Sequence, residues 1–225
     1  MKNIPEYPFY TLNEPWVEEL EKTTGTIVSE LQKVMHIDAS TLIGDNWTKA
    51  HPHYVFSTRN LPTAWKTYEF IFFGIKHPLH IEQCPETWNI LSQIPELVTA
   101  HFSFLQPGTH VQPHKGYSRM VLRNHLPLIV PEKGDMGIKV KGEIRQWQKG
   151  KLLSFNDSFE HEAWNFSNEP RVVLMFDIAN PYGEYSAKQI NRYKIEHLDD
   201  PYLLSIAPKE KWLEWLEKGK FPIHL

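Results

Sequence analysis

The sequence predicts an α+β protein with a mainly β core, a double-stranded β-helix (jelly roll) flanked by N-terminal and C-terminal helices. Its 225 residues suffice for one sizeable core, so a single domain over 1–225 is expected. From about 97 to 181, short apolar runs alternate with turn sequences, which favours a sandwich or barrel over a parallel α/β sheet. Helical patterning occupies both flanks, at about 13–36 and 185–218.

The N-terminal flank reads as one helix. Asn13, Glu14 and Pro15 are typical of a helix start, because asparagine caps the first turn while proline and an acid suit it. The following apolar residues fall near one helical face, and the helix should end around His36. These residues are Trp16, Leu20, Ile27, Leu31, Val34 and Met35.

Between the N-terminal flank and the β core the pattern is mixed. Residues 45–80 combine aromatic and β-branched residues with proline breaks, and 65–75 reads as a strand. Residues 85–91 (PETWNIL) predict a short helix, because proline and glutamate occupy its first turn.

The β core is predicted from apolar segments that are separated by glycine-, proline- and asparagine-containing turns. GIKVKGEIRQW reads as a hairpin, and LLSFNDSFEHEAW carries a break that redirects the chain. The C-terminal tail then returns to helical patterning after Pro181. The strand segments are AHFSFL, MVLRNHLPLIV, GIKVK, EIRQW, KLLSF and RVVLMFDI.

Composition excludes several classes of protein. A net charge of -3 gives no reason to expect a nucleic-acid partner or an anionic membrane surface. Cys84 is the only cysteine, so no internal disulfide forms. No apolar run approaches the roughly 20 residues of a membrane span, and the first residues have no apolar leader. A cytoplasmic protein without a membrane partner is therefore expected.

Two histidines and an arginine are the candidate site. His114 lies in PGTHVQPHKG, His161 in FNDSFEHEAW, and Arg171 follows ten residues later. Imidazole is a common ligand of iron, zinc and copper, and a site with open positions is typical of non-haem iron oxygenases. The carboxylate of such sites lies two residues after the first histidine, where this chain has Gly116. Either water fills the third position, or the metal is not iron.

The run 103–181 resembles the aspartyl/asparaginyl β-hydroxylase family, a cupin-like branch of the 2-oxoglutarate-dependent Fe(II) dioxygenases. The matching segments are FSFLQPGTHVQPHKG, LRNHLPLIVP, WQKGKLLSFNDSFEHEAWN and RVVLMFDI. His125 is eleven residues after His114, and Arg171 is ten after His161, as in the family. Weaker similarity (NW, CPETWNIL, IPEL) extends upstream to about residue 40.

The resemblance implies a role for each matched residue. His114 and His161 would be the iron ligands, in a family known for lacking the acid ligand. Arg171 would bind the distal carboxylate of 2-oxoglutarate through its planar fork. Ser103 and His125 would contact the same co-substrate.

Two further residues are candidate substrate contacts. Arg123 matches a position at which the family holds an acidic substrate, but the second family arginine is Val121 here, which leaves the substrate open. His110 lies four residues before His114 and would share its face on a regular strand. A turn near Pro113 would change that.

Each candidate also has a structural interpretation. Arg171 could face solvent, and Arg123 could serve packing alone. Asp157 and Glu160 could supply the missing carboxylate, although closing the turn before His161 is the better interpretation. The other histidines are expected at the surface or in packing: His36, His51, His53, His77, His80, His101, His197 and His224.

The implied reaction uses Fe(II), 2-oxoglutarate and O2 to hydroxylate an unactivated C–H bond, with release of succinate and CO2. An amino-acid-like substrate, free or carrier-bound, is favoured over a lipid acyl chain, because no anchor or clear amphipathic face is visible. Two alternatives remain: a jelly roll that binds metal or ligand without turnover, and a zinc hydrolase or isomerase, which would need a third protein ligand. The oligomeric state is not indicated.

Overall fold

The fold is built from two antiparallel β-sheets with helices packed against them. A computed structural model of the protein describes residues 5–36, 39–40, 46–49, 55–59 and 64–223. Three of the histidines expected at the surface or in packing, His51, His53 and His224, lie outside the described residues. In the part of the chain that is described, no helix combines the length and apolar character needed to cross a bilayer.

The strands are β1 (Phe9–Tyr10), β2 (Ala39–Ser40), β3 (Trp47–Lys49), β4 (Val55–Ser57), β5 (Trp65–Phe72), β6 (Ile75–Lys76), β7 (Leu97–Leu105), β8 (Thr109–His114), β9 (Val121–Ile129), β10 (Met136–Val140), β11 (Glu143–Arg145), β12 (Leu153–Phe155), β13 (His161–Asn165) and β14 (Arg171–Ala179). The helices are α1 (Pro15–Lys22), α2 (Thr24–Val34), α3 (Pro78–Gln83), α4 (Pro85–Leu91), α5 (Ala187–Glu196), α6 (Pro201–Ile206) and α7 (Lys209–Lys218).

Strands β7 to β14 form a double-stranded β-helix. The larger sheet contains the order β12-β9-β14-β7, and the smaller sheet contains β11-β10-β13-β8. The chain crosses repeatedly between the two sheets, which is the connection of a jelly roll. Earlier strands extend this core: β1 pairs with β12, β5 with β7, and β4 with β8. The predicted α+β fold with a jelly-roll core is confirmed, and so is the predicted β10–β11 hairpin.

Strand β14 lies at the centre of the larger sheet, and all nine of its residues are buried. Its alternate side chains serve two different environments, as expected for a strand. One face contributes to an apolar cluster with helices α1 and α2, and the other faces the inside of the barrel. The outward residues are Val172, Leu174, Phe176 and Ile178, and the inward residues are Arg171, Val173, Met175 and Asp177.

Helices α5 to α7 pack at one end of the barrel. Their apolar residues form a separate cluster with side chains from β6, β7 and β14. Trp212 and Trp215 of α7 are buried in this cluster, with ring centroids 5.1 Å apart. The helical flank predicted at 185–218 is therefore present as three helices.

The structure corrects two predicted elements and adds one. The single helix expected over 13–36 is two helices, because the chain breaks at Thr23, whose hydroxyl donates to the Leu20 carbonyl at 2.7 Å. The strand expected over 65–75 is the hairpin β5–β6, which turns at Phe73 and Gly74 with positive φ at both positions. Helix α3, which begins at a proline, was not predicted.

A buried carboxylate joins the N-terminal helices to α4. Glu30 of α2 is only 4% exposed and accepts hydrogen bonds from two main-chain N–H groups in the first turn of α4. The distances to the nitrogens of Glu86 and Thr87 are 3.1 and 2.7 Å. These donors have no partner within their own helix, so Glu30 satisfies them and also suits the positive end of the helix dipole.

The Glu30→Ala variant should therefore lose about 2–3 kcal/mol of unfolding free energy, because two buried donors lose a charged acceptor. Urea denaturation followed by circular dichroism measures the change. The control Glu19→Ala removes an exposed α1 carboxylate and should change stability by no more than about 0.5 kcal/mol. Equal effects of the two substitutions would contradict this role for Glu30.

Candidate active site

The inside of the barrel is polar where it faces one cavity. Alternation along the strands of the larger sheet points every second side chain inward, and the register aligns these side chains in rows. Buried polar side chains in such numbers indicate a site rather than a hydrophobic core. The rows are Thr67 and Ser103; Glu69, His101, Met175 and His125; and Thr99, Asp177 and Arg123.

The predicted histidine pair comes together across the smaller sheet. His114 on β8 is the register partner of His161 on β13, and their ring centroids are 4.2 Å apart. Nδ1 of His114 lies 2.7 Å from the Gln112 carbonyl, and Nδ1 of His161 lies 2.9 Å from the Phe159 carbonyl. Because a carbonyl only accepts, each Nδ1 carries the proton, and the lone pair of each ring is on Nε2.

Both imidazoles are held neutral. Burial, together with the neighbouring His114, lowers the pKa of His161 to about 3, and burial also lowers the pKa of His114. Neutral imidazole is the form that binds a metal ion. Among the residues that the structure describes, no group of three or more His, Cys, Asp or Glu side chains could hold a metal. Two histidines are therefore the protein ligands that this region offers.

The position of the missing acid is closed by a neighbouring side chain. A Cβ atom added at Gly116 would lie 2.0 Å from Oδ2 of Asp157 and 2.9 Å from its main-chain oxygen. The Gly116 N–H donates to that oxygen at 2.7 Å. Burial raises the pKa of the Asp157 carboxyl, and its Oδ2 is 3.1 Å from Arg123 Nη2. Asp157 thus braces the loop before His161, in agreement with its structural interpretation.

Arg171 is buried, and no carboxylate of the described residues forms an ion pair with it. It is 2% exposed, its Nη1 donates to the Ser103 carbonyl at 3.3 Å, and its Cζ lies 4.6 Å from the centre of the Trp147 ring. Its Nε has no hydrogen-bond partner among the described residues. Burial lowers the pKa of Arg171 to about 9, with no carboxylate to oppose that effect. An uncompensated buried guanidinium is costly, so this arrangement indicates a site for an anion.

Trp147 connects Arg171 to His125. Its Nε1 donates to Nδ1 of His125 at 3.1 Å, so the proton of that imidazole is on Nε2, 3.0 Å from the Met175 sulfur. Burial and the charge of Arg171 lower the pKa of His125 well below its usual range. His125 is therefore a neutral donor. Trp147 lies in the matched WQKG segment, but the sequence does not show its two contacts.

Ser103 lies beside Arg171, which donates a hydrogen bond to its carbonyl. Its side-chain oxygen accepts a hydrogen bond from Nε1 of Trp65 at 3.0 Å. A hydroxyl that accepts one bond still has its own hydrogen to donate. The structure therefore brings Ser103, His125 and Arg171 into one buried region around Trp147.

Arg123 is engaged by the protein itself. Its Nε and Nη2 each lie 2.9 Å from an oxygen of Asp177, and Nη2 also approaches Asp157. Tyr117 and Thr99 donate to the same Asp177 carboxylate at 3.0 and 3.1 Å. Although burial opposes both charges, the pair raises the pKa of Arg123 and lowers that of Asp177. Arg123 therefore lines the cavity as a neutralised cation.

His110 does not share the environment of His114. Relative to β13, strand β8 has one extra residue between Val111 and His114, a bulge that includes Pro113. A bulge interrupts the alternation of side chains, so the regular-strand expectation fails here. Nε2 of His110 instead lies 2.8 Å from Oε2 of Glu162. A substrate contact by His110 stays a prediction.

A cavity of about 360 Å³ lies beside the histidine pair, and His114 is one of the residues that line it. Trp65 and Met175 also line the cavity. Trp65 contacts Ser103 as well, and Met175 contacts His125. The outer wall is formed by residues 194–203, so the C-terminal segment covers the site, a point that the sequence left open. Apolar side chains supply much of the wall: Phe72, Phe73, Ile195, Leu198 and Leu203.

His101 is the histidine that sequence reasoning misjudged most. It was expected at the surface or in packing, yet it lines the cavity next to Glu69. Alternation along β7 was an available signal, because an inward Ser103 requires His101 and Thr99 to face inward as well. The remaining described histidines outside the site, such as His80, are consistent with packing.

A methyl group at position 116 should be poorly tolerated. Gly116→Ala is expected to lose about 1–3 kcal/mol of unfolding free energy, because it must displace the buried Asp157 carboxylate. Gly25→Ala is the matched control: nothing lies within 4 Å of its added Cβ, and alanine favours the helix. Thermal unfolding of the two variants compares them, and an unchanged midpoint for Gly116→Ala would refute the close contact.

Comparison with known proteins gives a family. The family model described as "Aspartyl/Asparaginyl beta-hydroxylase" matches residues 21–181. An ornithine lipid ester-linked acyl 2-hydroxylase from Rhizobium tropici is 41% identical over 182 residues, covering 80% of this chain and 62% of that protein. The human aspartyl/asparaginyl beta-hydroxylase is 33% identical over 122 residues, covering 52% of this chain and 16% of that protein.

The chain thus spans only part of the length of these relatives. A cupin domain of Schizosaccharomyces pombe Cnp3 aligns with 63% of this chain and 77% of that chain, at a TM-score of 0.36 and 10% sequence identity. The family match covers the strands that carry both histidines, Arg171 and the polar rows. The chain belongs to the aspartyl/asparaginyl β-hydroxylase family.

Proposed function

We propose that this hydroxylase-family chain is a 2-oxoglutarate- and Fe(II)-dependent dioxygenase that uses O2 to hydroxylate an unactivated C–H bond. The observation that carries the proposal is the buried Arg171, which lacks an anionic partner among the described residues. Contacts through Trp147, His125 and Phe155 link it to His161 of the histidine pair. A pair of histidines that could bind a metal would, on its own, fit many proteins. The same pair together with the buried guanidinium of Arg171 fits a dicarboxylate co-substrate.

The donor set suits iron. His114 and His161 would hold it through Nε2, since each Nδ1 is committed to a main-chain carbonyl. The zinc hydrolase alternative is less well supported, because catalytic zinc sites recruit three protein ligands and the described residues offer two. The remaining positions of the metal would be left for co-substrate, water and O2.

The anion site suits 2-oxoglutarate. Arg171 would bind the distal carboxylate, and Ser103 and the Nε2–H of His125 would donate to the same molecule. The orphaned Nε of Arg171 and the unused hydroxyl hydrogen of Ser103 are the donors that such a ligand needs. When bound, iron and 2-oxoglutarate supply the oxidising chemistry, in which O2 is consumed and succinate, CO2 and a hydroxylated product are released.

The protein's own residues orient the reactants and exclude water. Trp147 holds the guanidinium of Arg171 by its ring face and fixes the tautomer of His125 through Nε1. Phe155 packs against both His125 and His161, with ring centroids 5.1 and 5.5 Å away. These contacts keep the donors in place before the co-substrate arrives, so little reorganisation is needed on binding.

We place a lipid-type acyl chain first among the substrates. A relative named as an ornithine lipid ester-linked acyl 2-hydroxylase shares 41% identity with this chain. The apolar side chains of the cavity wall, including Phe72, Leu198 and Leu203, offer contact to methylene groups. Arg123 is neutralised by Asp177, which removes the free cation that an acidic side chain would need.

An amino-acid-like substrate, free or carrier-bound, is the second candidate. It is favoured by the family itself, whose human member is named for aspartyl and asparaginyl residues, and by the polar groups of Thr99, Tyr117 and Arg123 along one side of the cavity. A jelly roll that binds metal and ligand without turnover remains the alternative from another class.

The co-substrate site can be tested without turnover. Under anaerobic conditions, Fe(II) and then 2-oxoglutarate added to the apoprotein should produce the visible charge-transfer band of their chelate. His161→Ala should abolish the band by removing a metal ligand. Arg171→Met should lower the affinity for 2-oxoglutarate at least a hundredfold, because a buried charge-assisted pair is lost.

Arg171→Met should not unfold more readily than the wild type without ligand, because it removes an uncompensated buried charge. The matched control is Arg192→Met, an exposed arginine on α5, which should keep the band. Iron binding without any band in the wild-type protein would reject the dioxygenase proposal and favour the binding protein.

The acyl substrate is tested at the cavity wall. Leu198→Asp places a charge at a buried wall position and should lower lipid-stimulated succinate release at least tenfold, because methylene contacts are lost. Leu204→Asp, on the exposed side of α6, is the control and should retain most of the lipid-stimulated succinate release. Succinate is measured with an ornithine lipid in mixed micelles and with an asparagine-containing peptide. Stimulation by the peptide alone would support the amino-acid-like substrate instead.

A further inference from the structure

We propose that Glu69, together with His101, forms a subsite of the cavity that binds an ammonium group carried by the substrate. The inference rests on the proposed function, since it takes the cavity beside His114 as the substrate site. It adds a recognition element that neither histidine ligation nor the anion site requires.

Glu69 is a buried carboxylate on the cavity wall. It lies on β5, is 5% exposed and faces the cavity with its row partner His101. Its Oε2 makes no hydrogen bond to the described residues. This oxygen lies 3.2 Å from Nδ1 of His101. That contact is an ion pair only if the imidazole is protonated.

His101 does not supply the missing positive charge. Burial lowers the pKa of His101; the charge of Glu69 opposes this shift and the charge of Arg123 adds to it, and the net shift is downward, which favours the neutral ring. Neither ring nitrogen of His101 has a hydrogen-bond partner among the described residues. Glu69 and His101 therefore present adjoining acceptor and donor positions with their bonding capacity unused.

The other cations of the wall are placed elsewhere. Arg123 donates hydrogen bonds to Asp177 through Nε and Nη2. Lys194 Nζ lies over the ring of Tyr117, 4.2 Å from its centre. Lys49 also lines the cavity but is exposed, and the ion-pair contact of Glu69 within the described residues is to His101 instead. Within the described part of the chain, the carboxylate of Glu69 has no cation beside it.

A buried carboxylate without a cation is unfavourable unless a ligand provides one. An ammonium group suits this place, because it brings a compact positive charge and three donors for Glu69 and for the basic nitrogen of His101. The apolar wall formed by Phe72 and Leu198 then receives the aliphatic part of the same molecule. The ligand class is thus an aliphatic chain with a primary ammonium group.

The test uses two probes that differ only in the head group. Isothermal titration calorimetry compares n-octylammonium with n-octanol on the whole metal-free protein, without 2-oxoglutarate. We expect the ammonium to bind at least tenfold more tightly, as a charge-assisted hydrogen bond allows. Equal affinities, tighter binding of the alcohol, or no binding of either probe would overturn the proposal.

Two variants assign the preference to a residue. Glu69→Gln keeps the size of the side chain and should reduce the ammonium preference to about twofold or less. Glu82→Gln makes the same change at an exposed position of α3 and should leave the preference intact. A preference that survives in Glu69→Gln would refute the role of Glu69. The wild-type comparison decides the proposal on its own if that variant does not fold.

Failure here and failure of the proposed function are distinguishable. Octylammonium binding is measured without metal and co-substrate, whereas the chelate band is measured without substrate. A normal band with no ammonium preference would reject the Glu69 subsite alone. An ammonium preference without a band would retain the subsite in a binding protein.

Discussion

The pairing of β14 between β7 and β9 is the constraint on which the rest of the molecule depends. The strand is paired on both edges, and both of its faces are also buried: one packs against the helices α1 and α2, and the other lines the barrel. The inner face carries Arg171 at one end and Asp177 at the other. Because they lie six positions apart on an extended strand, these two charges serve different parts of the barrel.

The two buried arginines show how differently the same side chain can be used. Arg123 is enclosed by Asp177 and Asp157, so its charge contributes to the stability of the wall. Arg171 has the face of Trp147 and a main-chain carbonyl, but no acid among the described residues. Glu69 shows the reverse, a buried carboxylate with no cation beside it among the described residues. The barrel therefore holds one buried basic and one buried acidic side chain that have no partner of opposite charge within the described part of the chain.

Much of this arrangement could be predicted from the sequence. Turn spacing predicts the jelly roll, local motifs predict the His114–His161 pair, and the family resemblance singles out Ser103. The sequence could not show that Asp177 occupies Arg123, because that contact depends on the register of β9 against β14. Nor could it show the contacts of Trp147 with Arg171 and His125, since these are decided by packing between distant segments.

The wall formed by 194–203 has a consequence for how such a protein diversifies. The strands that carry His114, His161 and Arg171 lie in the middle of the chain, while this wall belongs to the C-terminal helices, which have an apolar cluster of their own. Substitutions in the tail can therefore alter the shape of the cavity while the buried polar rows stay unchanged. The outer wall and the polar interior are encoded in separate stretches of the gene, and each can evolve at its own pace.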